Sequence, residues 1–230
     1  MTDLHTHILP GVDDGAQTIE EAVAMLQVQA KQGVNAVALT PHFHGRKEPV
    51  EEFLARRENA WNQLREATKD LACPELILGA EAAWVPDMNQ WPELESLCYQ
   101  GTKTLLVELP VQPWTDSVFV ELNRLEGRKG IIPMIAHVDR YFFCQKKGDI
   151  ERLLSMGYPV QVSAEALFSL FHRRQALELL EHYDGLLISD CHNLTDRAPN
   201  LGKASKIIKK KLGQNLAQQI ADMTDEILVD

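Results

Sequence analysis

Along the chain, apolar runs of four to six residues alternate with longer stretches whose apolar positions recur every three or four residues. The short runs, 3–7, 35–40, 76–80, 104–108, 131–136, 159–163 and 186–189, have the length of strands and predict seven of them. Between the first two, Thr18 with Glu21 three residues on reads as a capping box. Ile19, Ala22, Val23 and Leu26 then share one face, and Gly33 ends the helix. A second helix over 50–69 turns Phe53, Leu54, Ala60, Trp61 and Leu64 inward, and a third over 116–126 buries Val118, Phe119, Leu122 and Leu125. Further helices are predicted over 149–156, 173–182 and 201–212, the last with Lys209, Lys210 and Lys211 on a solvated face. Strand and helix in regular alternation predict an α/β fold, and the absence of a long linker or internal repeat predicts one domain over 1–230.

Composition narrows the function. With 230 residues, 45% of them hydrophobic, the chain can bury one sizeable core, and the length suits a single barrel or a doubly wound sheet. A net charge of -10 argues against a general nucleic-acid binder, whose affinity rests on neutralising phosphates. Small or protein-borne phosphates suit the chain better. No run reaches the roughly 18 to 20 apolar residues of a membrane span, and MTDLHTHILPG lacks the basic start and apolar centre of a signal peptide, so a cytoplasmic protein without membrane insertion is expected. Cys73, Cys98, Cys144 and Cys191 form no C-x-x-C pair, which argues against both a disulfide framework and a thiolate zinc knuckle.

The residues able to bind metal are not scattered over this pattern. His5 and His7, two apart on an extended segment, point to one side. His42 follows VNAVALTP, Glu81 follows ELILGA, Glu108 closes TKTLLV, His137 closes IIPMIA, and Asp190 and His192 follow GLLIS. Six of the seven strands thus deliver a histidine or carboxylate to one rim, and in a β/α barrel the C-terminal rim is where catalytic residues collect. Glu108 is the most telling singly, because a carboxylate ending an apolar strand is costly to bury without a cation or hydrogen-bond donors. In the loop GVDDGA, Asp13 reads as a turn residue beside Gly15; His172 and His182, on predicted helices, read as ordinary structural histidines.

The segment SDCHNLTDR, 189–197, carries two chemistries at once. Cys191 and Arg197 have the C-x5-R spacing of cysteine-dependent phosphatases, whereas Asp190 and His192 are a metal-binding pair. A thiolate loop wraps successive backbone N–H groups around the phosphate, usually with glycine to allow the curvature. HNLTD has no glycine, sets Asp196 inside the cradle, and is followed by Pro199 too soon for an uninterrupted helix. The metal pair is therefore the expected active element.

DLHTHILPGVDDGA, TPH at 40–42, GAE at 79–81, VELP at 107–110, IAHVDRY at 135–141 and SDCHN at 189–193 together resemble the PHP (polymerase and histidinol phosphatase) superfamily, and more narrowly its bacterial protein-tyrosine phosphatases of capsular and exopolysaccharide biosynthesis. The resemblance implies a distorted seven-stranded (β/α)7 TIM-like barrel holding up to three divalent metal ions. Its ligands would be His5, His7, Asp14, His42, Glu81, Glu108, His137, Asp190 and His192, with Glu108 bridging two ions. Arg140 and Arg197 would grip the phosphate, since a guanidinium offers planar bidentate donation. Clustered ions would acidify a water to hydroxide for in-line attack, and Asp14 or a metal-bound water would supply the leaving-group proton. Histidine and carboxylate ligands without thiolates fit manganese, iron or zinc, with manganese the first expectation. HFH at 42–44 has phenylalanine where a second adjacent histidine is common, and cysteine stands between Asp190 and His192 where alanine is usual. The implied substrate is phosphotyrosine on a protein, a polysaccharide-export tyrosine kinase. Alternatives are a phosphatase for a small metabolite such as histidinol phosphate, and a non-catalytic metal-binding regulator.

Overall fold

In a computed structural model that describes residues 1–228, the apolar runs form strands β1 (Thr2–Thr6), β2 (Ala36–Leu39), β3 (His42–Phe43), β4 (Glu75–Leu78), β5 (Glu81–Ala83), β6 (Thr104–Glu108), β7 (Ile132–Ile135), β8 (Val160–Ser163) and β9 (Gly185–Ile188). Every pairing is parallel, in the orders β1-β2-β4 and β3-β5-β6-β7-β8-β9. The expected runs 35–40 and 76–80 form β2 and β4, and each is followed, after a break of two residues, by a short strand that was not expected, β3 and β5. β2 and β3 are separated by Thr40 and Pro41, where proline has no N–H to give the ladder. β4 and β5 are separated by Gly79 and Ala80, and a side chain at Gly79 would lie 3.1 Å from the Tyr99 ring. Hydrogen bonds bridge both breaks, from Gly79 N–H to the Leu39 carbonyl (3.0 Å) and from Glu81 N–H to the Pro41 carbonyl (3.1 Å). Beyond β9 the chain pairs with β1, Asp190 N–H donating to the His5 carbonyl (3.0 Å) and His7 N–H to the Cys191 carbonyl (2.9 Å). The sheet is thereby carried round into a distorted seven-stranded barrel.

Helices α1 (Ile19–Lys31), α2 (Val50–Thr68), α3 (Asp116–Lys129), α4 (Lys147–Ser155), α5 (Arg173–His182) and α6 (Leu201–Lys211) follow the sequence pattern closely. The Thr18 hydroxyl accepts from Glu21 N–H (3.2 Å), but the Glu21 carboxylate returns to the N–H of Gln17 (3.0 Å), one residue before the cap. On α2, Phe53, Ala60 and Leu64 are buried as expected, whereas Leu54 and Trp61 are half-buried at the edge of the packed stripe. A seventh helix, α7 (Gln214–Glu226), was not predicted. It buries Ala217, Ile220 and Thr224 and ties to β1 through a hydrogen bond from the Thr2 hydroxyl to Asp225 (2.5 Å).

Alternation along the strands separates two apolar clusters. Leu4, Ala38, Leu106, Met134, Ala136, Leu186 and Ile188, with Tyr99, fill the barrel interior. Their alternates, among them Val37, Leu105, Val107, Ile135, Val162 and Leu187, meet the helices outside. The same parity continues past the strand ends: Leu106 leads to Glu108 and Ile188 to Asp190 and His192, all facing inward, while Cys191 falls in the outer cluster. In β1 a register shift between Asp3 and Thr6 changes the parity, so Leu4 and the histidines after it share the interior.

Candidate metal centre

The inward side chains converge at the C-terminal ends of the strands. His5 Nε2 and His7 Nε2 lie 3.1 Å apart, and Glu81 Oε2 is 3.2 Å from the first and 3.4 Å from the second. Asp190 Oδ1 is 3.6 Å from His5 Nε2 and 3.4 Å from His7 Nε2. Neighbouring ligands around an ion held at roughly 2.1 Å are separated by roughly 3.0 to 3.4 Å, so all but the longest of these spacings are those of a coordination shell. Glu81 is the hub: His42 Nδ1 lies 2.9 Å from its Oε2 and His137 Nε2 lies 2.9 Å from its Oε1. A second lobe joins His7 to Asp14, His42 and His192, with Asp14 Oδ1 3.5 Å from Nε2 of both His42 and His192. Glu108 closes the far side with His42 and Glu81, its Oε1 3.8 Å from His137 Nε2. All nine residues expected from the sequence therefore lie in one contiguous cluster.

Burial makes this cluster chemically incomplete without cations. Glu81 and Asp190 are buried carboxylates, and Glu81 Oε2 and His192 Nε2 complete no hydrogen bond. A buried carboxylate oxygen among histidine nitrogens, in hydrogen-bond geometry with none of them, is what a divalent ion would satisfy. For Glu81, burial works to raise the carboxyl, but the charge of His5 and the close imidazoles of His137, His42 and His5 hold it well below the usual range. Asp190 is held down likewise, with burial opposed by His5, His7 and Arg140. Burial, aided by the charge of His7, pushes the His192 imidazole down to about 4, which leaves it neutral and able to ligate. His137 and Asp190 have φ of 30° and 51°, a left-handed backbone that non-glycine residues adopt at a cost, here at two strand ends bearing site residues.

Two orienting partners went unread in the sequence. Asp13, a turn residue by its sequence, accepts from Gly15 N–H (2.9 Å), and its other oxygen bonds His7 Nδ1 (2.6 Å) and His42 N–H (2.9 Å). Gln161, fully buried in the barrel, bonds His5 Nδ1 (2.7 Å) through Oε1; its amide meets the hydroxyl of Tyr99 (3.3 Å), which donates to the Leu4 carbonyl (2.8 Å). Both bonds occupy Nδ1 and turn Nε2 toward the cluster. The only signal in the sequence for Gln161 was a polar residue inside the otherwise apolar strand VQV. Gly15 is required by contact, since a Cβ there would sit 2.0 Å from the His7 carbonyl oxygen.

Arg140 and Arg197 both reach Asp190 Oδ2, Arg197 at 2.7 Å, and their side chains stay 41% and 30% exposed beside the cluster. Arg140 thus pairs with Asp190; its neighbour Asp139 turns inward to accept from Ser163 N–H (2.7 Å). Cys191 points the other way. Its side chain is fully buried, Sγ lies 3.7 Å from the Gln29 amide of α1, and burial, with nearby Asp3, pushes the thiol far up. The loop after it offers no anion cradle: N–H groups of Thr195 and Arg197 bond the Asn193 side chain (2.9 and 3.1 Å). His44 stacks on His42 at 5.7 Å between ring centres. His172, against Phe143, and His182, exposed beside Glu181, lie outside the cluster.

The model of a family described as capsular polysaccharide synthesis, CpsB/CapC, matches residues 1–229. Tyrosine-protein phosphatase CpsB of Streptococcus pneumoniae is 31% identical over 244 residues, covering 100% of this chain and 99% of the relative. Tyrosine-protein phosphatase YwqE of Bacillus subtilis is 26% identical, over 99% of this chain and 91% of the relative. Among solved structures, the fold matches a chain from a crystallographic study of YwqE from Bacillus subtilis and CpsB from Streptococcus pneumoniae, described as unique metal-dependent tyrosine phosphatases. The TM-score is 0.84 at 26% identity, covering 99% of this chain and 94% of that one.

Proposed function

Because this chain belongs to the CpsB/CapC family of capsular polysaccharide synthesis, we propose that it is a metal-dependent protein-tyrosine phosphatase acting on a phosphorylated tyrosine kinase of polysaccharide export. On this reading residues 1–230 are one cytoplasmic catalytic unit, and His5, His7, Asp14, His42, Glu81, Glu108, His137, Asp190 and His192 hold up to three divalent ions, manganese first among them. The observation that carries it is the buried Glu81 carboxylate, with nitrogens of His5, His7 and His42 within 3.4 Å of an oxygen that completes no hydrogen bond.

Such ions supply Lewis acidity and a water acidified toward hydroxide. The chain's own groups do the rest. Arg140 and Arg197 each spend only part of a guanidinium on Asp190 and keep donors facing outward, which suits them to bind phosphate oxygens and neutralise charge as the ester breaks. Asp14, 66% exposed, stands at the open side of the cluster, where it can pass a proton to the departing oxygen. Tyrosine leaves with a pKa of about 10, so modest acid assistance suffices. Asp13 and Gln161 keep the histidines in one tautomer and direction.

The test is metal analysis of the purified protein together with phosphate release from a phosphotyrosine peptide and from histidinol phosphate. Chelation should abolish peptide turnover and Mn2+ should restore it. Full activity in metal-free protein rules the reading out; faster turnover of histidinol phosphate favours a metabolite phosphatase, and metal binding without phosphate release a regulator.

A further inference from the structure

Beside the metal centre a cleft of about 500 Å³ opens between the loops that follow β3, β5 and β6. His44 belongs to its wall and also stacks on His42, so the cleft is continuous with the cluster. Its lining joins Arg46 and Lys47 to a stiff apolar stretch with Trp84, Pro86, Pro110 and Pro113, interspersed with the polar Gln112, Thr115 and Ser117.

Both walls are built rather than loose. The Gln145 side chain receives a hydrogen bond from Trp114 N–H (3.0 Å) and donates to the carbonyls of Val111 (3.1 Å) and Gln112 (2.9 Å), while Trp114 Nε1 donates to the Pro110 carbonyl (2.8 Å). Across the cleft, Gly45 lies so close to Trp91 that a Cβ would come within 2.4 Å of the indole, and Lys47 N–H closes a turn onto the His44 carbonyl (2.7 Å). That turn presents Arg46 and Lys47 to solvent, and among the described residues neither has an ion-pair partner. In a chain of net charge -10, two adjacent unpaired cations at the lip of the active site are a local reversal of sign.

We propose that this cleft binds the polypeptide next to the phosphotyrosine and selects for an anionic side chain there, a carboxylate or a second phosphotyrosine, held by Arg46 and Lys47. The inference rests on the phosphatase reading above and adds to it a substrate class. The polar lining can meet the backbone and the apolar lining the neighbouring side chains, and a rigid groove loses little freedom on binding. Exposed cations confer modest, salt-screened selectivity.

The experiment measures kcat and KM of the Mn2+-loaded full chain on a set of phosphotyrosine peptides: acidic flanks, the same flanks amidated to Asn and Gln, and a second phosphotyrosine nearby. p-Nitrophenyl phosphate, which has no flanks, is the control. Acidic and doubly phosphorylated peptides should be preferred about three- to tenfold through KM, the preference shrinking in high salt. A preference for only one of the two identifies which anion the cleft takes. The double variant Arg46→Glu/Lys47→Glu should abolish the preference and leave p-nitrophenyl phosphate turnover within about twofold of the parent. Equal KM for charged and amidated peptides, or a preference that survives the reversal, overturns the proposal while the phosphatase reading stands. Loss of p-nitrophenyl phosphate turnover in the variant would move these cations onto the reacting phosphate and also overturn it. No turnover of any substrate by the parent would sink the phosphatase reading and this inference with it.

Discussion

Replacing Gln161 by leucine tests whether the barrel interior sets the metal affinity of the rim. Gln161 and His5 are both fully buried, and the 2.7 Å bond between Oε1 and Nδ1 is the contact that holds the His5 proton on Nδ1. Leucine is of similar size but accepts nothing, so the imidazole N–H would stay buried without a partner, at a cost of about 1–3 kcal/mol. Shifting the proton to Nε2 relieves that cost but aims an N–H at Glu81 and His7, where a lone pair is needed. Either way the loss falls on ion binding, and removal of an orienting partner typically weakens metal affinity 10- to 100-fold, equivalent to about 1.4–2.8 kcal/mol. Two independent routes thus give the same range. The assay is competition of the folded protein against a chelator for Mn2+ or Zn2+, with the melting temperature of the metal-free protein measured alongside. Gln161→Glu, which keeps an acceptor, should retain most of the affinity. If Gln161→Leu lowers the melting temperature while metal affinity stays within about twofold, or if Gln161→Glu loses as much affinity as leucine, Gln161 only packs the barrel and the orienting role is wrong.

Arg140→Ala and Arg197→Ala should each lower kcat/KM by roughly 2–4 kcal/mol of transition-state stabilisation, read from steady-state kinetics on a phosphotyrosine peptide; unchanged kinetics in both would move the phosphate grip elsewhere. Cys191→Ser should keep most activity, and Asp190→Ala or His192→Ala should lose nearly all of it. A trapped phosphocysteine, or a dead Cys191→Ser that still holds its metals, would reinstate the thiol. Iodoacetamide at pH 8 should modify exposed Cys144 and spare Cys191, whose thiol is buried and pushed far up, with the adducts located by peptide mass mapping. Gly15→Ala, which sets a Cβ 2.0 Å from the His7 carbonyl, should displace the loop bearing Asp13 and Asp14 and show as lost metal content; normal content would contradict the tight approach.

Much of the architecture is local and can be read from the chain itself. Strand length, period-two alternation and the caps around α1 are properties of neighbouring residues, so seven strand positions and six of the helices follow from them. The same alternation explains why a histidine or carboxylate closing an apolar strand marks the rim, and why Asp190 and His192 turn inward while Cys191, one residue out of phase, turns away. Folding had to decide which groups meet across the barrel. Gln161 reaches His5 across 156 positions, and Asp190 N–H meets the His5 carbonyl only when the last strand returns to the first. The β1 register shift that sets both histidines inward depends on pairing with β2; α7, in contrast, has a local signal of its own, with Leu216, Ile220, Met223 and Ile227 at helical spacing, and is legible in the sequence. Asp13 carries the same lesson: a carboxylate two residues before a tight Gly15 turn is an ordinary loop residue by sequence. It orients His7 because the loop folds back onto the His7 carbonyl and its carboxylate is held by His42 N–H, a partner on another strand that no local pattern announces.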